Sequence, residues 1–274
     1  MNKVQTHIEM LRNYDKLAES EKLQLRSELS EVKILTPDHA NAKTAKNMGK
    51  GYLSFILHLA PSDVSGYNVC PAASKGCKMA CLNTAGRGRF QSIQDSRIRK
   101  TLYYIKVKDL FVSQLDKEIT ALTKKGIKLD LKPVVRLNGT SDIPWEYIKM
   151  RDNKSVFELH TAVQFYDYTK ILTRLAKLRA FNLPNYHITF SRSEANDADC
   201  DKALGLGFNV ATVFDIIPTS WLGQQVINGD GHDLRFLDEG EGVIVGLKAK
   251  GKAKVDTSGF VKYVTKSIDF KVTS

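Results

Sequence analysis

The chain of 274 residues lacks any apolar run of the roughly 18 residues that a membrane-spanning helix needs. Its opening segment, MNKVQTHIEMLRNYDKL, is polar and helical in pattern, so we expect no secretory signal peptide. Internal repeats and low-complexity tracts are also missing from the sequence. These absences argue against a membrane protein or a repeat array, and they favour a cytoplasmic protein.

Cysteine is scarce, with four in the chain, so a disulfide framework is not expected. Three of the four nevertheless lie close together, at Cys70, Cys77 and Cys81, in the spacing C-x6-C-x3-C. In a reducing compartment, clustered thiols are typical of metal ligands, and thiolates select zinc, copper(I) or iron–sulfur clusters. The alternative is three unrelated cysteines, each a small buried apolar side chain.

Three thiolates leave one coordination position open, as catalytic metal sites require. A 4Fe-4S cluster held in this way has one iron that can take an external ligand. A fourth protein ligand from Cys200 or His58 would instead close the site and favour structural zinc. We expect Cys200 to be an ordinary cysteine and His58 to have a structural role.

Several catalytic motifs are missing: the GKS/T ending of a P-loop, GxGxxG, HExxH, a Ser-His-Asp hydrolase signature and the zinc-deaminase pattern. The segment AGRGR does combine two glycines with Arg87 and Arg89. The glycines let the backbone approach a ligand and the arginines offer phosphate contacts. A flexible basic loop explains this segment equally well.

The charge balance is basic, with 41 Lys and Arg against 30 Asp and Glu, a net charge of +11 and a pI of about 9.4. Such a balance favours contact with nucleic acid, although a well-solvated basic surface is the plain alternative. In LKAKGKAKV, a period of two predicts that four lysines share one face of a strand or extended loop: Lys248, Lys250, Lys252 and Lys254. That row would either track phosphates or form a solvated edge.

The apolar pattern predicts an α/β fold: a partial (β/α)6 TIM-like barrel or an open parallel sheet. We predict an N-terminal helical extension over 1–35, a polar loop over 36–50 and a single barrel-like domain over 36–274. A helix is predicted over 92–124, with shorter helices at 171–180 and 195–204. Strands are predicted at 52–59, 133–137, 163–166, 186–190, 209–214 and 242–247.

Polar side chains follow the predicted strands, and sites in parallel α/β folds form at the carboxyl ends of strands. The alternatives are ordinary polar turns, such as an Asx-type turn closed by Pro144. As catalytic residues we predict Asn138, Asp142, Asp167 and Lys170. As residues that bind cofactor or substrate we predict Ser141, Tyr168, Arg192, Glu194, Arg87 and Arg89.

The strings NVCPAASKGCKMACLNTAGRGRF, RLNGTSDIPWE, FYDYTK and YHITFSRSEAN resemble a family encoded in bacteriophage and prophage genomes. The resemblance covers roughly residues 35–262 and implies action in the host bacterial cytoplasm, without implying a particular reaction. The architecture is also similar to radical S-adenosylmethionine enzymes, which place three cysteines after the first strand of a (β/α)6 barrel. Their usual spacing is C-x3-C-x2-C, from which this chain departs.

Two hypotheses follow. The first is an iron–sulfur, radical-SAM-like enzyme that uses S-adenosylmethionine and acts on a nucleotide or nucleic acid. The alternative is a non-redox protein that binds nucleic acid and contains structural zinc. A zinc-dependent transferase acting on bases shares the predicted fold and differs in its metal.

Overall fold

The computed structural model describes residues 2–37 and 47–264. The chain forms two compact units, the first from residues 1–71 and 87–165, the second from residues 72–86 and 166–274. The predicted polar loop over 36–50 lies largely outside the described residues. The division into an extension and a single domain stays a prediction.

The helices and strands are numbered in chain order. The α-helices with both ends in the described residues are α1 (Lys3–Arg12), α2 (Glu19–Ser30), α3 (Lys75–Met79), α4 (Gln91–Lys106), α5 (Lys108–Leu129), α6 (Val156–Leu159), α7 (Leu172–Phe181) and α8 (Asp197–Gly205). The strands in the same ranges are β1 (Leu35–Pro37), β2 (Tyr52–Leu57), β3 (Lys132–Arg136), β4 (Gln164–Thr169), β5 (Tyr186–Ser191), β6 (Val210–Phe214), β7 (Ser220–Trp221), β8 (Gln224–Asn228), β9 (Ile244–Lys248) and β10 (Val261–Lys262).

The N-terminal helices belong to the first unit. The Asn2 side chain caps α1 by accepting the Gln5 N–H at 3.0 Å. Leu11 is fully buried on α1, which packs against α4. His7 lies 2.8 Å from Glu28 of α2, so a polar contact joins the first two helices.

The long helix predicted over 92–124 is two helices. It breaks at Val107, whose φ of −134° and ψ of 52° lie outside the α region. The Val107 side chain is buried, so the apolar pattern continues through the break and hides it. A periodicity argument alone therefore predicts one helix where the backbone makes two.

The first unit contains the strands β1, β2 and β3 and the first residues of β4. β1 pairs antiparallel with β2, with Leu35 opposite Leu57. β2 is parallel to β3, and β3 is parallel to the start of β4, with Val135 opposite Phe165. Val135 and Phe165 are fully buried, as expected for parallel strands covered on both faces.

In the second unit, β6 is parallel to β5 and to β9, and β8 is parallel to β9. β7 pairs antiparallel with β8, and β10 pairs parallel with the end of β6. The helices α7 and α8 cover one face of β5 and β6, in a core that includes Leu175, Phe190, Cys200 and Val210.

All six predicted strands are confirmed, and none of their ends shifts by more than three residues. The mixed α/β class with mostly parallel strands is confirmed, and closure into a (β/α)6 barrel stays a prediction. Pattern analysis missed β1, β7, β8 and β10. None of the helices in the described ranges is both long and apolar enough to cross a bilayer.

The strand face predicted for the four lysines is wrong. β9 ends at Lys248, and Gly251–Val255 form a 3-10 helix that begins with φ at +55° on Gly251. Glycine adopts this left-handed conformation without a steric penalty, so the chain turns there and leaves the period of two.

We predict that Leu11→Ala lowers the free energy of unfolding by about 2–5 kcal/mol, since it removes a fully buried side chain between α1 and α4. Urea denaturation followed by circular dichroism measures the change. The control is Leu23→Ala on α2, because Leu23 is 68% exposed and its loss is expected to cost less than about 0.5 kcal/mol. Equal effects from the two variants would contradict the packing of α1 described here.

Candidate functional site

The segment that contains Cys77 and Cys81 is fastened to the carboxyl end of β5 in the second unit. The Glu194 carboxylate accepts hydrogen bonds from Ser74 Oγ and from the Gly76 N–H, each at 2.7 Å. Ser74 in turn caps α3 by accepting the Cys77 N–H at 3.1 Å. One carboxylate therefore holds the start of α3 in place. Cys77 lies within α3, and Cys81 is two residues beyond its end.

Gly76 is required by this close approach. A Cβ atom at this position would lie 2.7 Å from Glu194 Oε2 and would also collide with Ser258 Oγ. Burial acts to raise the pKa of Glu194, but the hydrogen bonds from Ser74 and Gly76 outweigh it and hold the pKa below its ordinary value. Glu194, predicted to bind cofactor, thus accepts hydrogen bonds from the cysteine segment.

Arg192, predicted to contact a ligand, is buried within the second unit. Its guanidinium donates to Asp197 Oδ1 at 2.6 Å and to the carbonyls of Gly259 and Phe260 at 2.9 Å. These bonds tie the chain before β10 to the end of β5. The contacts give Arg192 a structural role, and a ligand role stays a prediction.

The ends of β4 and β5 converge on Lys170 and Ser191. Lys170 Nζ donates to Ser191 Oγ at 2.7 Å and lies 6.0 Å from the centroid of the Phe260 ring. Tyr168 is half-buried near the end of β4, and Lys170 directly follows the last residue of that strand. The structure therefore joins Lys170 to the end of β5, while a role for Tyr168 in ligand binding stays a prediction.

Asp167 lies on the opposite face of β4. It is fully buried and accepts a hydrogen bond from the Tyr186 hydroxyl at 3.3 Å, while that hydroxyl accepts one from Arg174 Nη2 at 2.8 Å. Through the Tyr186 hydroxyl, Asp167 is therefore connected to Arg174 of α7.

The strand β5 carries a polar face that the sequence-based prediction missed. His187, Thr189 and Ser191 alternate with the buried apolar residues Ile188 and Phe190. This period of two was visible in YHITFS and is the signal that would have revealed the face. Burial lowers the pKa of His187 to about 4, so this imidazole is neutral near pH 7.

A buried arginine accompanies this polar face. Arg235 is fully buried, its positive charge further lowers the pKa of His187, and its Nη1 lies 3.3 Å from Asp238 Oδ2. Burial raises the pKa of Asp238 to about 6, against the opposing effect of Arg235. Nearby in sequence, Asp233 accepts a hydrogen bond from the Tyr166 hydroxyl at 2.8 Å.

Cys70 lies at the carboxyl end of β3 in the first unit. Its thiol donates to the Thr140 carbonyl at 3.5 Å, and Thr140 Oγ1 donates to the Leu59 carbonyl at 2.6 Å. The backbone N–H of Cys70 donates to Asn68 Oδ1 at 2.9 Å. The first cysteine is thus held against the NGTSD segment, which follows β3.

Asn138 forms the Asx-type turn that was the alternative to a catalytic role. Its Oδ1 accepts from Ser141 Oγ and from the Ile143 N–H, each at 2.8 Å, and its Nδ2 donates to the Ile143 carbonyl at 3.0 Å. Asp142 is buried in the same turn, and its N–H donates to the Val69 carbonyl at 2.8 Å. These bonds shape the turn; catalytic roles for Asn138 and Asp142 stay predictions.

Arg87 and Arg89 are exposed on the 3-10 helix Gly86–Arg89. The Arg89 guanidinium lies 5.5 Å from the centroid of the Phe90 ring. His58 is packed closely against Gly139, where a Cβ would lie 2.6 Å from His58 Nδ1. A role in phosphate binding for the two arginines stays a prediction.

The thiol groups of three cysteines are suitable ligands for a soft metal ion. Cys70, Cys77 and Cys81 are half-buried and none of the three forms a disulfide, so no disulfide competes for their sulfur atoms. Within residues 2–37 and 47–264, however, no three His, Cys, Asp or Glu side chains are grouped closely enough to hold a metal ion. The metal centre therefore stays a prediction that rests on the spacing and the chemistry of the thiols.

Mostly parallel strands that alternate with helices, with ionisable side chains at strand ends, define a mixed α/β protein. The chain belongs to the Gene product 88 family, a phage-type family whose model matches residues 31–263. The resemblance of the sequence to a phage and prophage family is confirmed as far as membership of a phage-type family. No curated protein and no solved structure matches the chain.

We predict that Glu194→Gln loosens the cysteine segment, because the amide lacks the charge that strengthens the two hydrogen bonds. Hydrogen exchange of the Gly76, Lys78 and Ala80 amides is expected to accelerate by about tenfold. The exposed carboxylate variant Glu241→Gln is the control and is expected to leave these rates unchanged. Unchanged protection in Glu194→Gln would show that the segment does not depend on this carboxylate.

We also predict that Cys200 resists alkylation while the other three cysteines react. Cys200 is buried, and burial raises its pKa to about 12, so thiolate is very rare at pH 8. Iodoacetamide labelling of metal-free protein, mapped by mass spectrometry, measures the difference. Labelling in urea is the control that exposes all four. Rapid native labelling of Cys200 would contradict its position in the core.

Proposed function

We propose that this phage-type protein is an iron–sulfur enzyme of the radical-SAM-like kind, which acts on a nucleotide or nucleic acid at the carboxyl ends of its strands. The observation that carries the proposal is the fastening of the Cys77 and Cys81 segment to the loop after β5 by Glu194. A half-buried, charged hydrogen-bond acceptor holds this segment, as expected when the positions of its cysteines matter.

The loops that hold the cysteines, taken one by one, support the proposal. Cys70 contacts Thr140 in the loop after β3, and Cys77 and Cys81 lie in the segment that Glu194 binds after β5. Catalytic groups of parallel α/β enzymes collect at such strand ends, while the opposite ends mainly contribute stability. The cysteines follow β2, the first strand with a parallel partner, and in the radical-SAM barrels that the architecture resembles they follow the first strand.

In this proposal Cys70, Cys77 and Cys81 hold a 4Fe-4S cluster, which supplies electron transfer to S-adenosylmethionine when it is bound. The residues of the chain then bind and orient the substrate. Lys170, directly after β4, donates to Ser191 at 2.7 Å and places its ammonium 6.0 Å from the centroid of the Phe260 ring. An ammonium next to an aromatic ring suits a phosphate and a base of a nucleotide.

The structure disfavours the alternative in which Cys200 closes a structural zinc site. Cys200 lies in the apolar core formed by α7, α8 and β5, and burial raises the pKa of its thiol to about 12. A cysteine binds zinc as a thiolate. Zinc binding at Cys200 would therefore require deprotonation of its thiol and rearrangement of the apolar core around it.

Anaerobic purification followed by analysis of iron, sulfide and zinc tests the proposal. Wild-type protein is expected to contain iron and sulfide and to be coloured. We predict that Cys70→Ala, Cys77→Ala and Cys81→Ala each lose the iron, because each removes one of three thiolate ligands.

Cys200→Ala is the matched control and is expected to retain the iron, with circular dichroism confirming that all four variants fold. A colourless wild-type protein with stoichiometric zinc would overturn the iron–sulfur assignment. Iron that survives all three alanine variants would show that these cysteines are not its ligands.

A further inference from the structure

The lysine turn, defined here as residues 248–255, packs against the cysteine segment within the second unit. Ala80, directly before Cys81, shares a small apolar core with Ala249 and Ala253 of the turn. A Cβ on Gly251 would lie 3.2 Å from the Ala85 Cβ, so the two backbones are in close contact. The lysine turn is therefore the immediate neighbour of the segment that contains Cys77 and Cys81.

The chain that follows holds the lysine turn in a defined conformation. The Asp256 carboxylate accepts hydrogen bonds from Ser258 Oγ at 2.6 Å and from the Val261 N–H at 3.0 Å. The Tyr263 hydroxyl donates to the Asp256 carbonyl at 2.9 Å. These bonds fix the backbone between the lysine turn and β10, so the lysines extend from an ordered backbone.

The charges of the lysine turn are largely uncompensated. Lys250 pairs with Asp230 at 2.8 Å, whereas the exposed ammonium groups of Lys248, Lys252 and Lys254 form no ion pair with any part of the chain that the structure describes. Elsewhere, lysines such as Lys149 lie within 3.5 Å of a carboxylate. Like charges on one short turn repel each other, and an incoming polyanion relieves that repulsion.

We propose that the lysine turn binds the sugar–phosphate backbone of a polynucleotide and delivers it to the neighbouring cysteine segment. This deepens the proposed function, on which it rests for the reaction, by making the substrate a nucleic acid rather than a free nucleotide. Repeating phosphates match a row of separate cations, and each contact releases condensed counterions. A single nucleotide would engage a single charged clamp and leave most of these lysines unused.

Fluorescence anisotropy of a labelled 20-nucleotide single strand, titrated with the full-length protein across a salt series, tests the proposal. The variant is the triple substitution Lys248→Gln, Lys252→Gln and Lys254→Gln. We expect binding to weaken on the order of tenfold at low salt, and the slope of log affinity against log salt to fall by about 2, or roughly 0.7 per lost contact.

The control variant carries Lys117→Gln, Lys124→Gln and Lys128→Gln on α5, all exposed, and makes the same change in net charge. We expect it to bind as the wild type does, and an excess of unlabelled mononucleotide to leave the labelled strand bound. The proposal is overturned if the wild type does not bind, if both triple variants weaken equally, or if the mononucleotide competes fully.

Metal analysis of the same preparations separates this inference from the proposed function. The lysine variant is expected to keep the iron content of the wild type while it loses affinity for the strand. If the wild type contains no iron but still binds the strand through the lysine turn, the iron–sulfur function fails and the inference stands. If iron is present and binding ignores these lysines, the inference fails alone.

Discussion

The hydrogen bonds that Glu194 accepts from Ser74 and Gly76 are the interaction on which the candidate site depends. They join two segments far apart in the sequence, and they do so with a charged acceptor at the start of a short helix. A helix of five residues is not stable alone, so α3 requires such a tertiary contact. The absence of a side chain at Gly76 is what lets the carboxylate approach the backbone this closely.

Several polar residues at the strand ends form hydrogen bonds that stabilise the loops. Arg192 joins the end of β5 to the chain before β10, and Asn138 closes its own turn. Both use strong hydrogen bonds that buried polar groups need in any case. Lys170 instead donates to Ser191 on the polar face of β5, while α7 and α8 pack on the apolar face of β5 and β6.

Much of the fold could be predicted because parallel strands are short, nearly continuous apolar runs, and this signal is local. The missed strands β7 and β10 have two residues each, too few to show any period. The break at Val107 and the turn at Gly251 were not predicted for a different reason. At both places the residue pattern continues without interruption while the backbone changes direction, and tertiary packing determines where the direction changes.

The sequence by itself determined the α/β class, the six main strands, the basic character and the clustering of three thiols, since composition and local periodicity are sufficient for these. Only the tertiary structure decided which strand-end residues meet. It placed Asp167 on the helix-covered face, Cys200 in an apolar core and the lysine turn against Ala80. Such contacts join residues distant in the chain, and their geometry depends on strand register and on the space that small residues leave.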